Sequence, residues 1–189
     1  MQPTFTTPRL ELTPAGLSDV DTLWALWTDP AVRRFLWDDR EISRAEAAAT
    51  LNDCVALATR GLGLWVLVPR AEGEPSARRT LAAVGCAGLL PVTTAAEHEP
   101  RLAGLVEPLV ALAPNVWGLG YAAEALGALL SYASGTLGLP RLAGVTDVPN
   151  VASDRMLRRA GFTVLSETPG PRYPLRTYLW ENAKPRRSS

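Results

Sequence analysis

The sequence has few of the residues that most often carry metal or nucleophilic chemistry. Its 189 residues include two cysteines and a single histidine. Cys54 and Cys86 each lie in an apolar pattern, so they predict neither a metal site nor a disulfide framework. His98 lies in a polar loop, which argues against a histidine-based metal site and against a nucleophile–histidine triad. We therefore expect a function that uses no metal.

An excess of one charge and long apolar runs are also missing. Nineteen basic residues balance nineteen acidic ones, so no polyanion-binding surface is predicted and nucleic acid is not an expected partner. No apolar run is long enough to cross a membrane, and the N-terminus lacks a signal-peptide pattern. We expect a cytoplasmic protein that does not bind membranes. The basic run Lys184-Pro185-Arg186-Arg187 predicts a solvated tail over residues 183–189.

The chain does have enough apolar residues, 47% of the total, to build one compact domain over residues 1–182. Strand and helix patterns alternate irregularly, which indicates an α+β fold. Strands are predicted at 9–12, 64–68, 81–90, 104–113, 141–146, 162–166 and 173–180, with polar loops at 69–80 and 91–101. Helices are predicted from Ser18, from Ser43, from about Tyr121 to Leu137, and at 151–160.

The first two helices carry local start signals. Ser18, followed three residues later by Asp21, is typical of an N-cap, and Ser43 with Glu46 has the pattern of a capping box. Apolar residues then recur at helical spacing and are expected in the core. They are Val20, Leu23, Trp24 and Trp27 in the first helix and Ala47, Leu51, Cys54, Val55 and Ala58 in the second.

The most informative segment is Asn115-Val116-Trp117-Gly118-Leu119-Gly120-Tyr121-Ala122-Ala123-Glu124-Ala125. A strand pattern leads into it and a helix pattern leads out, so its glycines lie where a strand passes into a helix. The first N–H groups of a helix lack intrahelical partners and can hold a phosphate. This predicts a pyrophosphate-bearing ligand at Gly118–Ala122. Gly118-x-Gly120-x-x-Ala123 also fits the looser dinucleotide fingerprint, and glycine could simply serve a tight turn.

A second segment, Asn150 to Phe162, has the local signals of an ordinary short helix. Asn150 can cap its start and Gly161 can end it. Its combination with a glycine turn some thirty residues earlier is far less common than either segment alone.

Together these segments resemble the GNAT superfamily of acyl-CoA-dependent N-acetyltransferases, and within it the RimJ/RimL ribosomal-protein acetyltransferases. Thr7-Pro8-Arg9-Leu10-Glu11-Leu12 is similar to the opening strand of that branch, and Asp29-Pro30-x-Val32 to the end of its first helix. Residues 117–125 are similar to its CoA-binding turn, and residues 150–162 to its next helix. The resemblance implies a mixed, mostly antiparallel central sheet of about six to seven strands, flanked by helices and splayed between its two central strands. It disfavours the dinucleotide-binding fold, because too little chain follows Gly120 to build one.

The resemblance also implies acetyl-CoA as the co-substrate. The pantetheine arm would lie between the strand that ends at Ala113 and the strand at 141–146, where it would pair with nearby backbone groups like an extra strand. Pro108 indicates that this first strand is either irregular or an edge. The residues implied in binding are Val110, Leu112, Ala113, Asn115, Trp117, Gly118, Leu119, Gly120, Tyr121, Ala122, Asn150 and Ser153.

Two positions depart from the family's pattern. Asn115 replaces a commoner Arg or Gln, and Leu119 stands where a basic residue is frequent. Backbone N–H groups can still bind pyrophosphate, so CoA binding is expected to persist in weaker form. A non-catalytic acyl-CoA-binding or scaffolding domain therefore stays open as an alternative, and a nicotinamide dinucleotide-dependent dehydrogenase as a further one.

In the family a neutral amine attacks the thioester directly within a ternary complex. Glu107 matches an acidic position of the branch and is the candidate base, although it also fits a solvated strand carboxylate. Ser153 matches the serine of Asn-x-x-Ser, which either protonates the CoA sulfur or only orients the cofactor. Tyr173 and Tyr178 are weaker candidates for this acid.

The acceptor is expected between the first helices and the last strands. Phe35 and Trp37 follow the first helix and are expected either to form aromatic walls of that site or to pack in the core. The acceptor class is a primary amine, on a protein N-terminus or a small molecule, and the protein is expected to be a monomer or a homodimer.

Overall fold

The computed structural model describes residues 2–70 and 82–182. The chain forms two compact units, the first from Met1–Leu90 and Pro108–Leu129 and the second from Pro91–Glu107 and Leu130–Ser189. The predicted tail at 183–189 and most of the predicted loop at 69–80 lie outside the described residues. A single domain over residues 1–182 stays a prediction.

Strands and helices alternate along the described chain. The strands are β1 (Phe5–Thr6), β2 (Leu10–Pro14), β3 (Gly63–Pro69), β4 (Gly85–Pro91), β5 (Val106–Leu112), β6 (Arg141–Asp147), β7 (Thr163–Thr168) and β8 (Leu175–Glu181). The helices are α1 (Val20–Thr28), α2 (Pro30–Leu36), α3 (Arg44–Ala56), α4 (Thr94–His98), α5 (Tyr121–Gly135) and α6 (Val151–Arg159). Short 3₁₀ turns lie at Leu17–Asp19, Leu57–Arg60, Pro100–Leu102 and Pro114–Val116.

The strands form two hydrogen-bonded sheets, one in the order β1-β2-β3-β4-β5 and one in the order β6-β8-β7. The pairs β1–β2, β2–β3, β3–β4, β6–β8 and β7–β8 are all antiparallel. This confirms the α+β class and the mostly antiparallel pairing. It excludes the parallel, doubly wound sheet that a dinucleotide-binding dehydrogenase needs. The structure describes eight strands. Seven were predicted, and the two-residue β1 is the additional one.

The core of the first unit lies between its sheet and the helices α1 and α3. Val20, Leu23 and Trp27 are buried as predicted, and Trp24 is partly buried with its indole Nε1 donating to the Ile42 carbonyl at 3.0 Å. Ala47, Leu51 and Cys54 line the buried stripe of α3. The prediction for Val55 was wrong, because this side chain is 37% exposed beside the stripe.

The start signal of α3 is confirmed, whereas the start of α1 differs from the prediction. The Ser43 N–H donates to Glu46 Oε2 at 2.8 Å, and the Glu46 N–H donates to Ser43 Oγ at 3.2 Å. Ahead of α1, the returning carboxylate is that of Asp19, which accepts from the Gly16 N–H at 2.9 Å. Ser18 therefore does not cap α1, because a 3₁₀ turn at Leu17–Asp19 precedes the helix.

A proline that was expected only to end α1 also begins a helix. Asp29 Oδ1 accepts from the Ala31 N–H at 2.8 Å and caps α2, with Pro30 at its first position. Proline suits that position because the first helical N–H has no intrahelical partner.

The second unit has its own small core, made of Ala95, Leu102, Ala143 and Leu175. The segment predicted as a polar loop at 91–101 contains the short helix α4 and a 3₁₀ turn, and it contributes Ala95 to this core. Glu99 holds the segment in place: its carboxylate accepts from Arg101 Nε at 2.7 Å and from Ser166 Oγ at 2.7 Å. These bonds stabilise the charged form, and the pKa of Glu99 is lowered to about 2, chiefly by Arg101.

Close approach of β4 and β5 depends on a glycine. A Cβ built on Gly85 would collide with the carbonyl oxygen of Ala111 and would lie 3.0 Å from Leu112 Cα. Gly85→Ala should therefore destabilise the protein by about 1–3 kcal/mol. Chemical denaturation measures this change, and an unchanged midpoint would show that β5 can move away without cost.

Gly127 provides the matched control. It lies inside α5, and a Cβ there would meet nothing within 4 Å. Gly127→Ala should raise the free energy of unfolding by roughly 0.5–1 kcal/mol, because alanine restricts the unfolded chain and favours the helix.

Candidate active site

The backbone of β5 is hydrogen-bonded along one edge. The Ala113 N–H donates to the Val84 carbonyl at 2.8 Å, and at the other end of the strand pair the Val92 N–H donates to the Leu105 carbonyl at 3.0 Å. Both bonds involve odd-numbered residues of this segment, and since partners alternate along an antiparallel ladder, we infer that the odd-numbered residues of β5 face β4. By the same inference the even-numbered residues turn their N–H and C=O groups outward, since β5 is the last strand of its sheet.

This alternation explains Pro108, which has no N–H to donate. Pro108 is an even-numbered residue, so its missing donor lies on the outward edge and costs no ladder bond. β5 is the last strand of its sheet, so Pro108 lies in an edge strand, and the irregular strand that the sequence also allowed stays a prediction.

The outward edge leaves a small set of backbone groups for a ligand. The N–H groups of Val110 and Leu112 lie on it, whereas the Leu112 carbonyl accepts from Trp117 Nε1 at 2.7 Å. Ala113 is engaged within the protein, since its N–H bonds to Val84 and its carbonyl accepts from Val116 N at 3.1 Å. Val110 and Leu112 are therefore better placed than Ala113 to bind the pantetheine arm.

The glycine turn joins β5 to α5 through a 3₁₀ turn that contains Asn115. Gly118 and Gly120 have φ angles of 79° and 83°, which glycine adopts without the steric cost of a Cβ. A Cβ on Gly118 would meet nothing within 4 Å, so the surface of the turn is open. The Glu124 N–H donates to the Gly120 carbonyl at 3.2 Å, so the N–H groups of residues 121–123, Ala122 among them, precede this bond. They are the groups that an anion can use.

The N-terminal segment holds this turn from the side. Arg9 Nη1 donates to the Leu119 carbonyl at 2.7 Å, and Arg9 Nε donates to Glu124 Oε2 at 2.7 Å. The other oxygen, Glu124 Oε1, accepts from Thr7 Oγ1 at 2.6 Å and from the Arg9 N–H at 2.8 Å. The Arg9 guanidinium also lies 5.0 Å from the ring centroid of Tyr121. Two segments of the predicted family pattern therefore meet at one ion pair, which the sequence did not reveal.

In the second unit, Asn150 and Ser153 lie at the start of α6. Asn150 Oδ1 accepts from the Ser153 N–H at 3.2 Å, which confirms Asn150 as the cap of this helix. The Ser153 hydroxyl is partly exposed and makes no hydrogen bond within residues 2–70 and 82–182, so it is available to a ligand.

Asp154 anchors the same helix to β8. Its Oδ1 accepts from Tyr178 Oη at 2.5 Å, from Arg176 Nη1 at 3.0 Å and from Arg158 Nε at 3.0 Å. These bonds, that of Tyr178 above all, lower the pKa of Asp154 to about 2. Tyr178 is fully buried, and burial together with the Asp154 carboxylate raises the pKa of its hydroxyl to about 12. Because the Tyr178 hydroxyl already donates its proton to Asp154, Tyr178 is poorly suited to protonate a thiolate.

Glu107 has the opposite environment. It lies near the start of β5, partly buried, and no hydrogen bond or ion pair to it occurs among the described residues. Desolvation raises the pKa of its carboxyl from 4.5 to about 7. A carboxylate with a pKa near 7 is suited to accept a proton at neutral pH.

The two aromatic residues expected near the acceptor lie on the C-terminal side of α2 and are both partly buried. Trp37 packs against the core of the first unit, with its ring 5.8 Å from that of Trp27. Its Nε1 has no hydrogen-bond partner within the described part of the chain. Phe35 lies under the guanidinium of Arg34, at 5.1 Å. A wall of the acceptor site stays a prediction for both.

Other kinds of site find little support. Among residues 2–70 and 82–182, no cluster of three or more His, Cys, Asp or Glu side chains could hold a metal ion. Burial raises the pKa of the Cys54 thiol to about 11 and that of the Cys86 thiol to about 12, so both are poor nucleophiles. None of the described helices combines the length and the apolar character needed to cross a membrane.

Comparison with known proteins identifies the family. The family model described as "Acetyltransferase (GNAT) domain" matches residues 9–163. The chain belongs to the GNAT acetyltransferase family. It is therefore an acetyl-CoA-dependent N-acetyltransferase domain, and the open glycine turn and the outward amides of β5 suit the pyrophosphate and the pantetheine arm of that co-substrate.

Relatives support the same assignment. The FsC-acetyl coenzyme A-N(2)-transacetylase of Aspergillus fumigatus is 33% identical over 86% of this chain, and this chain spans 66% of that protein. A GNAT-family acetyltransferase from Bordetella pertussis shares the fold with a TM-score of 0.77 and 23% identity, over 94% of this chain and 99% of that one. RimL, a ribosomal L7/L12 α-N-protein acetyltransferase solved with coenzyme A, also shares the fold, with a TM-score of 0.68 and 20% identity over 95% and 96% of the two chains.

The turn can be tested at Gly120. A Cβ there would lie 3.3 Å from Arg9 Nη2 at a φ angle of 83°. Gly120→Val should place a branched side chain against the expected pyrophosphate and weaken CoA binding roughly ten- to thirtyfold in isothermal titration.

Gly138→Val controls for backbone strain. Gly138 also has a positive φ, 65°, and a Cβ there would meet nothing within 4 Å. Both variants should lose stability, but only Gly120→Val should lose CoA affinity. Equal CoA affinity in the two folded variants would mean that the phosphates bind elsewhere.

Proposed function

We propose that this domain transfers the acetyl group of acetyl-CoA to a primary amine, by direct attack within a ternary complex. The observation that supports this most is that β5 ends its sheet and leads into an open glycine turn. One stretch of chain therefore offers a strand edge for the amides of the pantetheine arm and helix N–H groups for the pyrophosphate. The proposed CoA-binding residues are Val110, Leu112, Ala113, Asn115, Trp117, Gly118, Leu119, Gly120, Tyr121, Ala122, Asn150 and Ser153.

Glu107 is the proposed base. The attacking amine must be neutral and must shed a proton once its bond to the acetyl carbon forms. A carboxylate whose pKa is raised to about 7 binds that proton far better than an ordinary carboxylate, and near neutral pH about half of it is ionised and able to accept a proton. Glu107 takes the proton directly or through a water molecule.

Ser153 is the proposed acid. As the bond from the acetyl carbon to sulfur breaks, the CoA sulfur gains the electron pair and needs a proton. The Ser153 hydroxyl has no competing hydrogen bond among the described residues, whereas the Tyr178 hydroxyl donates to Asp154. The serine regains its proton from water. A thiolate is a moderately good leaving group, so the acid is expected to matter less than the base.

The acceptor is a primary amine on a protein N-terminus or on a small molecule. The relatives' names both place the acetyl group on nitrogen: RimL is named as an α-N-protein acetyltransferase of ribosomal L7/L12, and the Aspergillus protein is named as an N(2)-transacetylase.

Acetyl transfer is tested by incubating the protein with acetyl-CoA and a panel of N-terminal peptides, polyamines, amino acids and aminoglycosides. Release of free thiol together with an acetylated product in the mass spectrum is the expected result. CoA binding without turnover on any amine would instead favour a non-catalytic acyl-CoA-binding domain. A thermal shift with NAD but none with CoA would contradict the proposal altogether.

Glu107→Gln keeps the size of the side chain and removes its basicity. In the natural protein kcat/KM should rise with pH through about 7, since the carboxylate must be ionised to accept a proton and its pKa is raised to about 7. Glu107→Gln should lose this rise of kcat/KM with pH, and it should do so with every acceptor, whatever the pKa of the amine. Its rate should fall roughly 100-fold or more. Full activity in Glu107→Gln would remove the residue from the reaction.

A stability measurement checks the same pKa without using activity. The folded pKa lies above the unfolded one, so the folded protein retains a proton that the unfolded chain releases between pH 4.5 and about 7. Stability should therefore fall as pH rises through this range, and Glu107→Gln should lack that decrease. Glu97→Gln, at an exposed position on α4, is the control and should keep the decrease.

A further inference from the structure

The glycine turn lacks the basic side chain that its sequence position often carries, yet a cation lies against it. Leu119 occupies the expected basic position, and Arg9 reaches the same peptide from the segment between β1 and β2. We propose that Arg9, held by Glu124, is the positioning residue of the pyrophosphate turn and so determines the preference for CoA over donors that lack a pyrophosphate. This rests on the proposed function.

Arg9 fixes the orientation of one peptide group in the turn. Arg9 Nη1 donates to the Leu119 carbonyl at 2.7 Å. In a planar trans peptide the C=O and the following N–H point in opposite directions. Holding the Leu119 carbonyl toward Arg9 therefore directs the Gly120 N–H away from it, toward the open side of the turn. Both glycines adopt positive φ angles, so without this bond the peptide could rotate at little steric cost.

Glu124 makes this position of Arg9 well defined. Its carboxylate accepts from Thr7 Oγ1 and the Arg9 N–H on one oxygen, and from Arg9 Nε and Nη2 on the other, at 2.6 to 2.8 Å. Burial would raise the pKa of Glu124, but these bonds outweigh it and the pKa is lowered. Two of these charge-assisted bonds come from the guanidinium and the other two fix the carboxylate, so the guanidinium is held far more rigidly than in a single exposed pair.

The ion pair also cancels an unfavourable charge. Glu124 lies in the first turn of α5, where a lone carboxylate would repel a bound pyrophosphate. The Arg9 side chain is 50% exposed while that of Glu124 is 13% exposed. The cation of the pair thus lies on the solvent side, where an anionic ligand arrives.

Three ligands separate this role from a purely structural one: CoA, dephospho-CoA, which keeps the pyrophosphate, and pantetheine, which lacks it. Dissociation constants are measured by isothermal titration, with displacement titration for pantetheine. Arg9→Met should weaken CoA and dephospho-CoA about tenfold and pantetheine less than twofold. An equal loss for all three ligands would overturn the proposal, because the arginine would then support the whole fold. If the natural protein itself binds no CoA, the proposed function fails instead.

Two further variants separate positioning from net charge. Glu124→Gln removes a negative charge near the anion, so simple electrostatics predicts tighter CoA binding. We expect weaker binding by severalfold, since an amide cannot accept hydrogen bonds on both of its ends and Arg9 is released. Arg9→Lys keeps the charge but not the planar fork, and it should also weaken CoA severalfold. Tighter binding in Glu124→Gln, or unchanged binding in Arg9→Lys, would overturn the positioning role.

Arg44→Met is the matched control. Arg44 makes a comparable ion pair with Asp21 at 2.6 Å on the surface of the same unit, and its side chain is 57% exposed. This variant should leave all three dissociation constants unchanged. Far-ultraviolet circular dichroism and the melting temperature establish that each variant is folded, and Glu124→Gln alone carries the test if Arg9→Met does not fold.

Discussion

The site depends on one constraint, which is that β5 is hydrogen-bonded along a single edge. β5 is the last strand of its sheet, and from the alternation of an antiparallel ladder we infer that the N–H groups of Val110 and Leu112 lie on its outer edge. An unpaired edge normally invites aggregation, but here it is short and carries Pro108 where a donor would otherwise be exposed. An edge of this kind can pair with an extended ligand that carries amide groups, as we propose for the pantetheine arm. Gly85 makes the arrangement possible, because any side chain at that position would separate the two strands.

A second constraint joins parts of the chain that are far apart in sequence. Glu124 and Arg9 are 115 positions apart, yet their ion pair decides how the turn after β5 is oriented. Local signals explain why the turn can form, since glycine permits the positive φ angles at both positions. They do not explain why it holds one orientation, which depends on a guanidinium from the opposite end of the first unit's sequence.

The acidic residues of the molecule show how environment separates their roles. Asp154 has three hydrogen-bond donors, and its pKa is lowered to about 2, so it stays ionised and anchors α6 to β8. Glu99 is similarly paired with Arg101 and Ser166, and it fastens the segment before β5. Glu107 is desolvated and has no hydrogen-bond partner among the described residues, and its pKa is raised to about 7. Burial with donors yields a structural carboxylate, whereas burial without them yields one that can exchange a proton at neutral pH.

By itself the sequence determined the family, the α+β class, most helices and strands, and the turn where CoA is expected to bind. Those features rest on short-range physics: the Ser43–Glu46 capping box, the Asn150 cap, apolar periodicity and the glycines of the turn. The sequence did not determine the start of α1 or the presence of α2, because neighbouring polar residues compete for the same caps. Only the tertiary structure decided that Pro108 marks an edge, that Tyr178 is committed to Asp154 and that Arg9 reaches Leu119. Each of these depends on which distant groups meet in space, and such contacts leave no periodic pattern along the chain.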